Sequence, residues 1–231
     1  MQVYRIFLIM QDSTVLVREE FHGKSGQSDA MGTQIHRKEK EGFKMNILIL
    51  NGSPRHHGNT HAALQTMKGL LEDGNSVEVL GVCNLNLSGC CACDSCKRNG
   101  GHCVCPDESD AVIQKIVQAD AVIFGTPVYW WGISAQLKMV VDKFYSQDSQ
   151  FKTMSKKIGV VVVGANELEN PQYRLIHDQF HCIAEYLHWD LAFSLSFSAY
   201  EPGELMTRDS VLDQLKEACD TITNQNGREI L

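Results

Sequence analysis

From Met45 onward the hydrophobic positions alternate between two kinds of run, one apolar almost without interruption and one apolar at every third or fourth residue. The continuous runs predict strands near 46–50, 76–82, 121–125, 158–164 and 191–198. Strands of that kind suit a parallel sheet covered on both faces, because neither face meets water. Between them Leu64, Met67 and Leu71 share one helical face, as do Ile176, Phe180, Ile183 and Leu187. Asn170 before Pro171 predicts a helix start, a capping side chain followed by a residue with no N–H to satisfy. Ser210 is placed likewise before a last helix bearing Val211, Leu215, Ala218 and Ile222, and another helix is expected over 135–145.

Strictly alternating strands and helices predict an α/β fold. Five strands with a polar, glycine-containing turn after the first favour a flavodoxin-like three-layer sandwich, its parallel sheet ordered 2-1-3-4-5. Ligands of such sheets sit beyond the carboxyl ends of the strands, so the loops after strands one, three and four carry the expectation of a site. Residues 1–44 mix both charge signs with scattered glycines and little periodicity after Met10. They are expected to be a poorly ordered N-terminal extension without chemistry, and 45–231 one domain.

The turn after the first strand reads Gly52-Ser53-Pro54-Arg55-His56-His57-Gly58-Asn59-Thr60. Unpaired N–H groups at the following helix start, the Ser53 and Thr60 hydroxyls and the Arg55 guanidinium would surround one small volume that favours a phosphate. The glycine-lysine-serine ending of a nucleotide triphosphate loop is missing, as is G-x-G-x-x-G, so a monophosphate such as that of FMN suits the turn better than ATP or a dinucleotide. An ordinary strand-to-helix turn with Thr60 as N-cap is the plain alternative. His56 and His57 could add charge there or do nothing special.

Composition narrows the partners. A net charge of −7 argues against nucleic acid. No apolar run approaches the roughly 20 residues needed to cross a bilayer. The first ten residues lack a basic leader and a small-residue cleavage site, so a cytoplasmic location is expected. In that compartment nine cysteines point to metal or redox chemistry rather than structural disulfides.

After the third strand comes Pro127-Val128-Tyr129-Trp130-Trp131-Gly132, then Ile133 and Ser134. Aromatics at a strand's carboxyl end, held by Pro127 and Gly132, would make a flat wall for a planar heterocycle, though such residues also serve as core or dimer-interface aromatics. With these two motifs in order, the chain resembles the flavodoxin-like FMN-dependent NAD(P)H oxidoreductases, the group that includes NADPH-dependent FMN reductases and iron-sulfur flavoproteins. The carrying residues are Gly52 to Arg55, Gly58 to Thr60, Thr126 to Trp130, then Ser134, Gln136, Leu137, Lys138 and Asp142, with Glu201-Pro202-Gly203 near the end. The resemblance implies that Ser53, Arg55, Gly58, Asn59 and Thr60 grip the FMN phosphate and that 127–132 lines the ring. Gly164 and Asn166 belong to the third loop, where many relatives are glycine-rich and this chain instead carries Glu167 and Glu169. The resemblance also implies a homodimer or higher homo-oligomer, with Trp131 shared between subunits.

The segment 89–106 concentrates thiols. Cys90, Cys93, Cys96 and Cys103 form C-x2-C-x2-C-x6-C, a spacing that can wrap a [4Fe-4S] cluster and resembles that of the iron-sulfur flavoproteins. Zinc, or metal-free thiols with a redox disulfide, fit the same residues. Cys91 and Cys105 are spare thiols and His102 a fallback ligand, while Cys83, Cys182 and Cys219 read as inert.

The leading functional expectation is an oxidoreductase in which NAD(P)H reduces FMN and the flavin passes electrons to a quinone, metal ion, nitro compound or carrier protein. No side chain need then be a catalytic acid or base. The rivals are an iron-sulfur flavoprotein that exchanges electrons with ferredoxin, and a cysteine-based redox-sensing or binding module.

Overall fold

The computed structural model describes residues 44–224 and, before them, only the strands β1 (Arg5–Gln11), β2 (Thr14–Glu20) and β3 (His36–Arg37). Two compact units result, Met1–Phe43 and Lys44–Leu231. In the first, β1, β2 and β3 form an antiparallel sheet in that order, with Arg5 opposite Glu20 and Gln11 opposite Thr14. The expectation of a poorly ordered extension falls mostly outside the described residues.

The second unit alternates β4 (Asn46–Asn51), α1 (Asn59–Leu71), β5 (Ser76–Gly81), α2 (Ser109–Gln118), β6 (Ala121–Pro127), α3 (Ala135–Asp142), the single turn α4 (Asp148–Phe151), β7 (Lys157–Gly164), α5 (Pro171–Leu187), β8 (Asp190–Ser198) and α6 (Asp209–Thr223). The sheet is parallel throughout and ordered β5-β4-β6-β7-β8, the order 2-1-3-4-5 expected from the sequence. Among the described residues no helix is long and apolar enough to cross a membrane.

The uninterrupted apolar strands are explained by two cores, one on each sheet face. Leu48, Leu50, Val122, Phe124, Ile158 and Val160 point to the α2, α3 and α5 side. Ile47, Ile49, Ala121, Ile123, Val161 and Val163 point to the α1 and α6 side. Alternate residues of one strand therefore feed opposite cores, and period-2 patterning vanishes because both faces are dry. On the first side Phe124 lies 4.9 Å from Phe180, ring centre to ring centre, and an edge-on chain continues from Phe144 through Phe151 to Trp189. Trp189 Nε1 donates to the Phe151 carbonyl at 2.9 Å, which satisfies the buried indole.

Three helix boundaries depart from the sequence reading. Helix α1 begins at Asn59 with Gly58 as an N-cap that has no side chain to offer, so Thr60 is inside the helix rather than its cap. Helix α6 begins at Asp209 with Arg208 in the cap position, so Ser210 also lies inside. Helix α3 stops at Asp142 and tightens into a 3-10 turn, Lys143–Gln147, where an α-helix over 135–145 was expected. Asn170 does cap α5, its side chain accepting from Gln172 N at 3.1 Å.

Where β4 and β6 part, Gly52 N donates to the Gly125 carbonyl at 2.8 Å. A Cβ on Gly125 would stand 2.3 Å from Leu64 Cδ1, so α1 packs onto β6 only because residue 125 has no side chain. Gly125→Ala should destabilise the protein by about 1–3 kcal/mol through overpacking. Urea unfolding checks this, and an unchanged midpoint would show that α1 can move away freely.

Candidate functional site

The switch point opens a cavity of about 380 Å³ lined by four loops: Ser53, Arg55 and Gly58 to Thr60; Pro127 to Tyr129; Val163 to Ala165; and Ala199 to Pro202. That volume lies in the range of small-molecule and cofactor sites. Of the residues singled out from sequence, Ser53, Arg55, Gly58, Asn59, Thr60, Pro127, Val128, Tyr129 and Gly164 meet here. Trp130, Trp131, Gly132 and Asn166 do not line it.

The first wall is a turn that leaves donors free. Asn51 Oδ1 accepts Ser53 N at 2.9 Å and Ser53 Oγ accepts Arg55 N at 3.2 Å, which folds the chain back on itself. The N–H groups of Asn59, Thr60 and His61 then open α1 without a carbonyl one turn earlier, and glycine cannot cap them. The Arg55 guanidinium makes no hydrogen bond or ion pair to the described residues and is exposed at the rim. Asn59 behaves otherwise than expected, because its side chain donates to the Glu201 carbonyl at 2.8 Å and accepts Leu205 N at 3.2 Å. It ties the last loop to the first. His56 and His57 are exposed, whereas half-buried His61 has its pKa lowered, first by burial and then by those two neighbours.

The aromatic loop is a tight hairpin. Tyr129 N donates to Gly132 O at 3.0 Å and Gly132 N to Tyr129 O at 3.1 Å, with Trp130 and Trp131 at the tip. Both tryptophans have positive φ, 47° and 60°, in a turn that favours Asn-Gly. Trp130 is 89% exposed and Trp131 49%, so packing within the described residues does not explain them. Thr126 and Ser134 fix the base of the loop: Ser134 N donates to Thr126 Oγ1 at 3.0 Å, and Ser134 Oγ caps α3.

In the third loop Gly164 is buried, and a Cβ there would lie 2.5 Å from Gln172 Nε2 and 2.8 Å from the Tyr173 hydroxyl. Asn166 is turned to α5, its Nδ2 donating to Gln172 Oε1 at 3.1 Å and its carbonyl accepting Tyr173 OH at 2.6 Å. Glu167 and Glu169 are exposed and do not line the cavity. Sequence reasoning gave no role to Tyr200 and cited Glu201 and Pro202 only as part of the resemblance. Glu204 orders that loop, its Oε2 accepting Tyr200 N and Glu201 N at 2.8 and 3.1 Å, and those two bonds hold its carboxyl below the usual range.

The cysteine loop is a second, separate feature. Cys90, Cys91, Cys93, Cys96, Cys103 and Cys105 all line one small cavity of about 20 Å³, room for roughly one water. Among the described residues, no three His, Cys, Asp or Glu side chains converge closely enough to share a metal ion. Cys91 is raised by hydrogen bonding with Cys93 and Cys105, while Cys93 is lowered by its hydrogen bond with Ser95. His102 is turned away, its Nδ1 2.9 Å from Asp110 Oδ2. Outside the loop Cys219 is buried and its pKa pushed up to about 12, Cys83 is raised by burial, and Cys182 is exposed.

The loop is clamped onto the 3-10 turn after α3. Lys97 pairs with Asp148 at 2.5 Å and sits 3.8 Å over the Tyr145 ring, and Tyr145 OH donates to Asp94 at 2.9 Å. Beneath lies a residue that sequence reasoning missed, Lys143, its side chain 2% exposed and its Nζ donating to Cys103 Sγ at 3.3 Å. The available signal was a lysine between Val141 and Phe144 on an otherwise apolar helical stripe. Lys143 also lies 3.4 Å from Asp107 Oδ2, and that carboxylate accepts Ser109 N at 2.9 Å, Ser88 N at 3.1 Å and the hydroxyls of Ser88 and Ser109. Burial works to raise Asp107, but the two serines and the Lys143 charge prevail and hold it well below the usual carboxylate range.

Residues 45–185 match the family described as NADPH-dependent FMN reductase. The chain is 35% identical over 123 residues to an iron-sulfur flavoprotein of Methanocaldococcus jannaschii, covering 53% of this chain and 63% of that protein, a little under two thirds of its length. It is 31% identical over 144 residues to an iron-sulfur flavoprotein of Methanosarcina thermophila, covering 59% of this chain and 73% of that one. Among solved structures, an NAD(P)H:quinone oxidoreductase from Methanothermobacter marburgensis aligns with TM-score 0.59 at 16% identity, covering 79% of this chain and 98% of that one. At that identity the likeness is one of fold.

Two outcomes follow from the geometry. Trp130→Asn combined with Trp131→Gly should stabilise the protein by about 1–2 kcal/mol, because both residues relieve a left-handed strain; a lower urea midpoint would mean the indoles pack. A carboxyl with a depressed pKa adds stability above its unfolded value, near 4, and loses it as pH falls further. The urea midpoint should therefore hold from about pH 7 to 5 and drop below about 4. Asp107→Asn should flatten that acid limb, and an identical limb in the variant would clear Asp107 of responsibility.

Proposed function

Since the chain belongs to the NADPH-dependent FMN reductase family, we propose that it is an oxidoreductase that holds FMN at the switch point and is reduced by NAD(P)H. Electrons then pass to a quinone, metal ion, nitro compound or carrier protein. The observation that carries this reading is the uncapped start of α1 opening into a cofactor-sized cavity beside an unpaired Arg55. These are free donors around a space, and a phosphate is the group they lack.

When bound, FMN supplies the hydride and electron chemistry. The chain's own residues do the rest. Arg55, Ser53, Thr60 and the first N–H groups of α1 hold the phosphate. Pro127, Val128, Tyr129 and Gly164 wall the ring, and the loop from Ala199 to Pro202, pinned by Asn59, closes the far side against water. No acid or base in the cavity is required of the protein. Trp130 and Trp131, exposed on a rigid hairpin, suit a surface shared with a second subunit, which makes a homodimer the assembly we propose.

The cysteine loop supports a second element, a [4Fe-4S] cluster held by Cys90, Cys93, Cys96 and Cys103, with ferredoxin among the candidate electron partners. Its support is the C-x2-C-x2-C-x6-C spacing in the sequence; as folded here the thiols share a cavity of about 20 Å³ with Asp94, Asp142, Lys143 and Ser146, and no three of them converge on one point, so this arrangement would have to open to admit a cluster. Zinc, a redox disulfide or a thiol-sensing role are the outcomes that compete with it.

Anaerobic absorption spectra of the purified, FMN-reconstituted chain test both elements. Flavin bands that bleach on adding NADH or NADPH support the reductase; bleaching only with reduced ferredoxin favours the carrier protein, and failure to bind FMN defeats both. Arg55→Met should weaken FMN binding about tenfold or more, the equivalent of one charge-assisted hydrogen bond. Flavin fluorescence quenching measures it, and unchanged affinity would remove Arg55 from the cradle.

A further inference from the structure

The turn that shapes the phosphate end of the switch-point cavity is held by a pair of side chains that the FMN reading leaves without a role. Asn51, at the end of β4, is 5% exposed, and its Oδ1 accepts Ser53 N at 2.9 Å. Its Nδ2 lies 3.1 Å from Nδ1 of His61, which stands in the first turn of α1 and does not line the cavity. One amide thus joins the strand end, the phosphate-type turn and the helix that follows it.

This bonding pattern fixes the state of the imidazole. A backbone N–H can only donate, so the Asn51 atom facing Ser53 is the oxygen and the one facing His61 is the NH2 group. His61 Nδ1 must then accept, which requires a neutral ring with its proton on Nε2. An imidazolium carries hydrogen on both nitrogens and would set donor against donor. Turning the Asn51 amide over brings no relief, because its NH2 group would then face the N–H of Ser53. The surroundings agree: burial first, then the charges of His56 and His57, disfavour the charged ring. Among the described residues no carboxylate offsets them from β4, β5, β6, β7, α6 or the loop between β8 and α6, the elements packed against α1.

We propose that His61 is a positioning residue for the FMN phosphate, a proton-sensitive latch that holds Asn51, and through it the turn at Ser53, only while its ring is neutral. This rests on the FMN reading above and adds a regulation to it. Above the ordinary imidazole value of about 6.5 the latch is closed. As pH falls below that value His61 takes a proton, Asn51 is released and the cradle loosens. The sign separates this from simple attraction: a histidinium acting only as a nearby cation would tighten the hold on a phosphate at acid pH, whereas the latch weakens it.

The test is the FMN affinity of the full-length apoprotein, measured by flavin fluorescence quenching at about pH 8 and about pH 5, on either side of the imidazole range. The parent is compared with His61→Asn, whose Oδ1 replaces Nδ1 by an acceptor that does not titrate, and with His61→Leu, which offers none. Affinities are taken relative to His61→Asn at the same pH, so the phosphate's own titration cancels. The parent should match His61→Asn at the higher pH and fall about tenfold below it at the lower, the worth of one hydrogen bond. His61→Leu should lie about tenfold below at both. Long-range proton–nitrogen NMR spectra of the unliganded parent, with the His61 signals identified by their loss in either variant, should show the Nε2–H tautomer at the higher pH. If the parent stays level with His61→Asn at the lower pH, or binds FMN the tighter there, the proposal is overturned while the FMN reading stands. If the parent binds no FMN at either pH, the FMN reading falls and this one with it. Should His61→Asn fail to fold, the NMR spectra decide: a proton on Nε2 alone supports the latch, and one on Nδ1 at the higher pH overturns it.

Discussion

The close approach of Gly52 and Gly125 is the constraint on which the rest of this molecule depends. Their backbones meet at 2.8 Å across the point where the chain leaves β4 in one direction and returns to β6 on the other side. A Cβ on Gly52 would stand 2.8 Å from Ser134 Oγ and 3.0 Å from the Gly125 carbonyl, and one on Gly125 would strike Leu64. With both side chains absent, α1 and α3 come close enough for the phosphate-type turn and the aromatic hairpin to share a cavity. A doubly wound sheet always has a crevice at this place, but its width is set by such contacts.

The fold was legible because its signals are redundant. Continuous strands such as Ile158 to Val163 state that both sheet faces are dry, and helical stripes such as Ile176, Phe180 and Leu187 state which side each helix covers. Helix ends were less legible, and for a physical reason. Thr60 and Ser210 are good capping residues, yet each sits one step inside its helix because tertiary contacts fix the start elsewhere: Asn59 is bound to the Glu201 loop, and Arg208 reaches Glu204 and the Ser198 carbonyl. Propensity is a weak prior when a neighbouring loop decides where the chain enters. The site was half legible. Residues on the first two loops could be read from motifs, but Tyr200 and Glu201 reach the cavity only through a loop after the last strand, whose position no local pattern encodes. Asn166 shows the opposite case, a polar residue at the right sequence position whose side chain is spent on Gln172.

The cysteine loop depends on charge for its position, since it carries little apolar surface of its own. Val104 is exposed, and the loop takes positive φ at Ala92, Asp94, Gly100 and Gly101, so neither core nor regular structure holds it. What fixes it is a set of polar clamps onto the turn after α3: Lys97 to Asp148, Tyr145 to Asp94 and Lys143 to Cys103. These clamps meet the 3-10 turn that follows α3, where three residues per turn put Lys143 and Ser146 in line on one side.

An acidic chain with net charge −7 thus makes its anion-favouring features locally. Net charge sets long-range steering, but a bound anion responds to donors within a few ångströms, where unpaired N–H groups and a single cation outweigh distant carboxylates. Most side-chain donors in the described part of the molecule are satisfied. Of the three buried orphan atoms, Ser146 Oγ belongs to a residue that lines the cysteine cavity and Gln172 Nε2 lies behind Gly164 without lining the switch-point cavity; nothing in the structure explains the third, Gln114 Nε2. At the switch point the donors without a partner among the described residues are the first N–H groups of α1 and the Arg55 guanidinium, and they face the same cavity. Both stand within a few ångströms of one small volume, which is how a chain of net negative charge keeps a local preference for an anion.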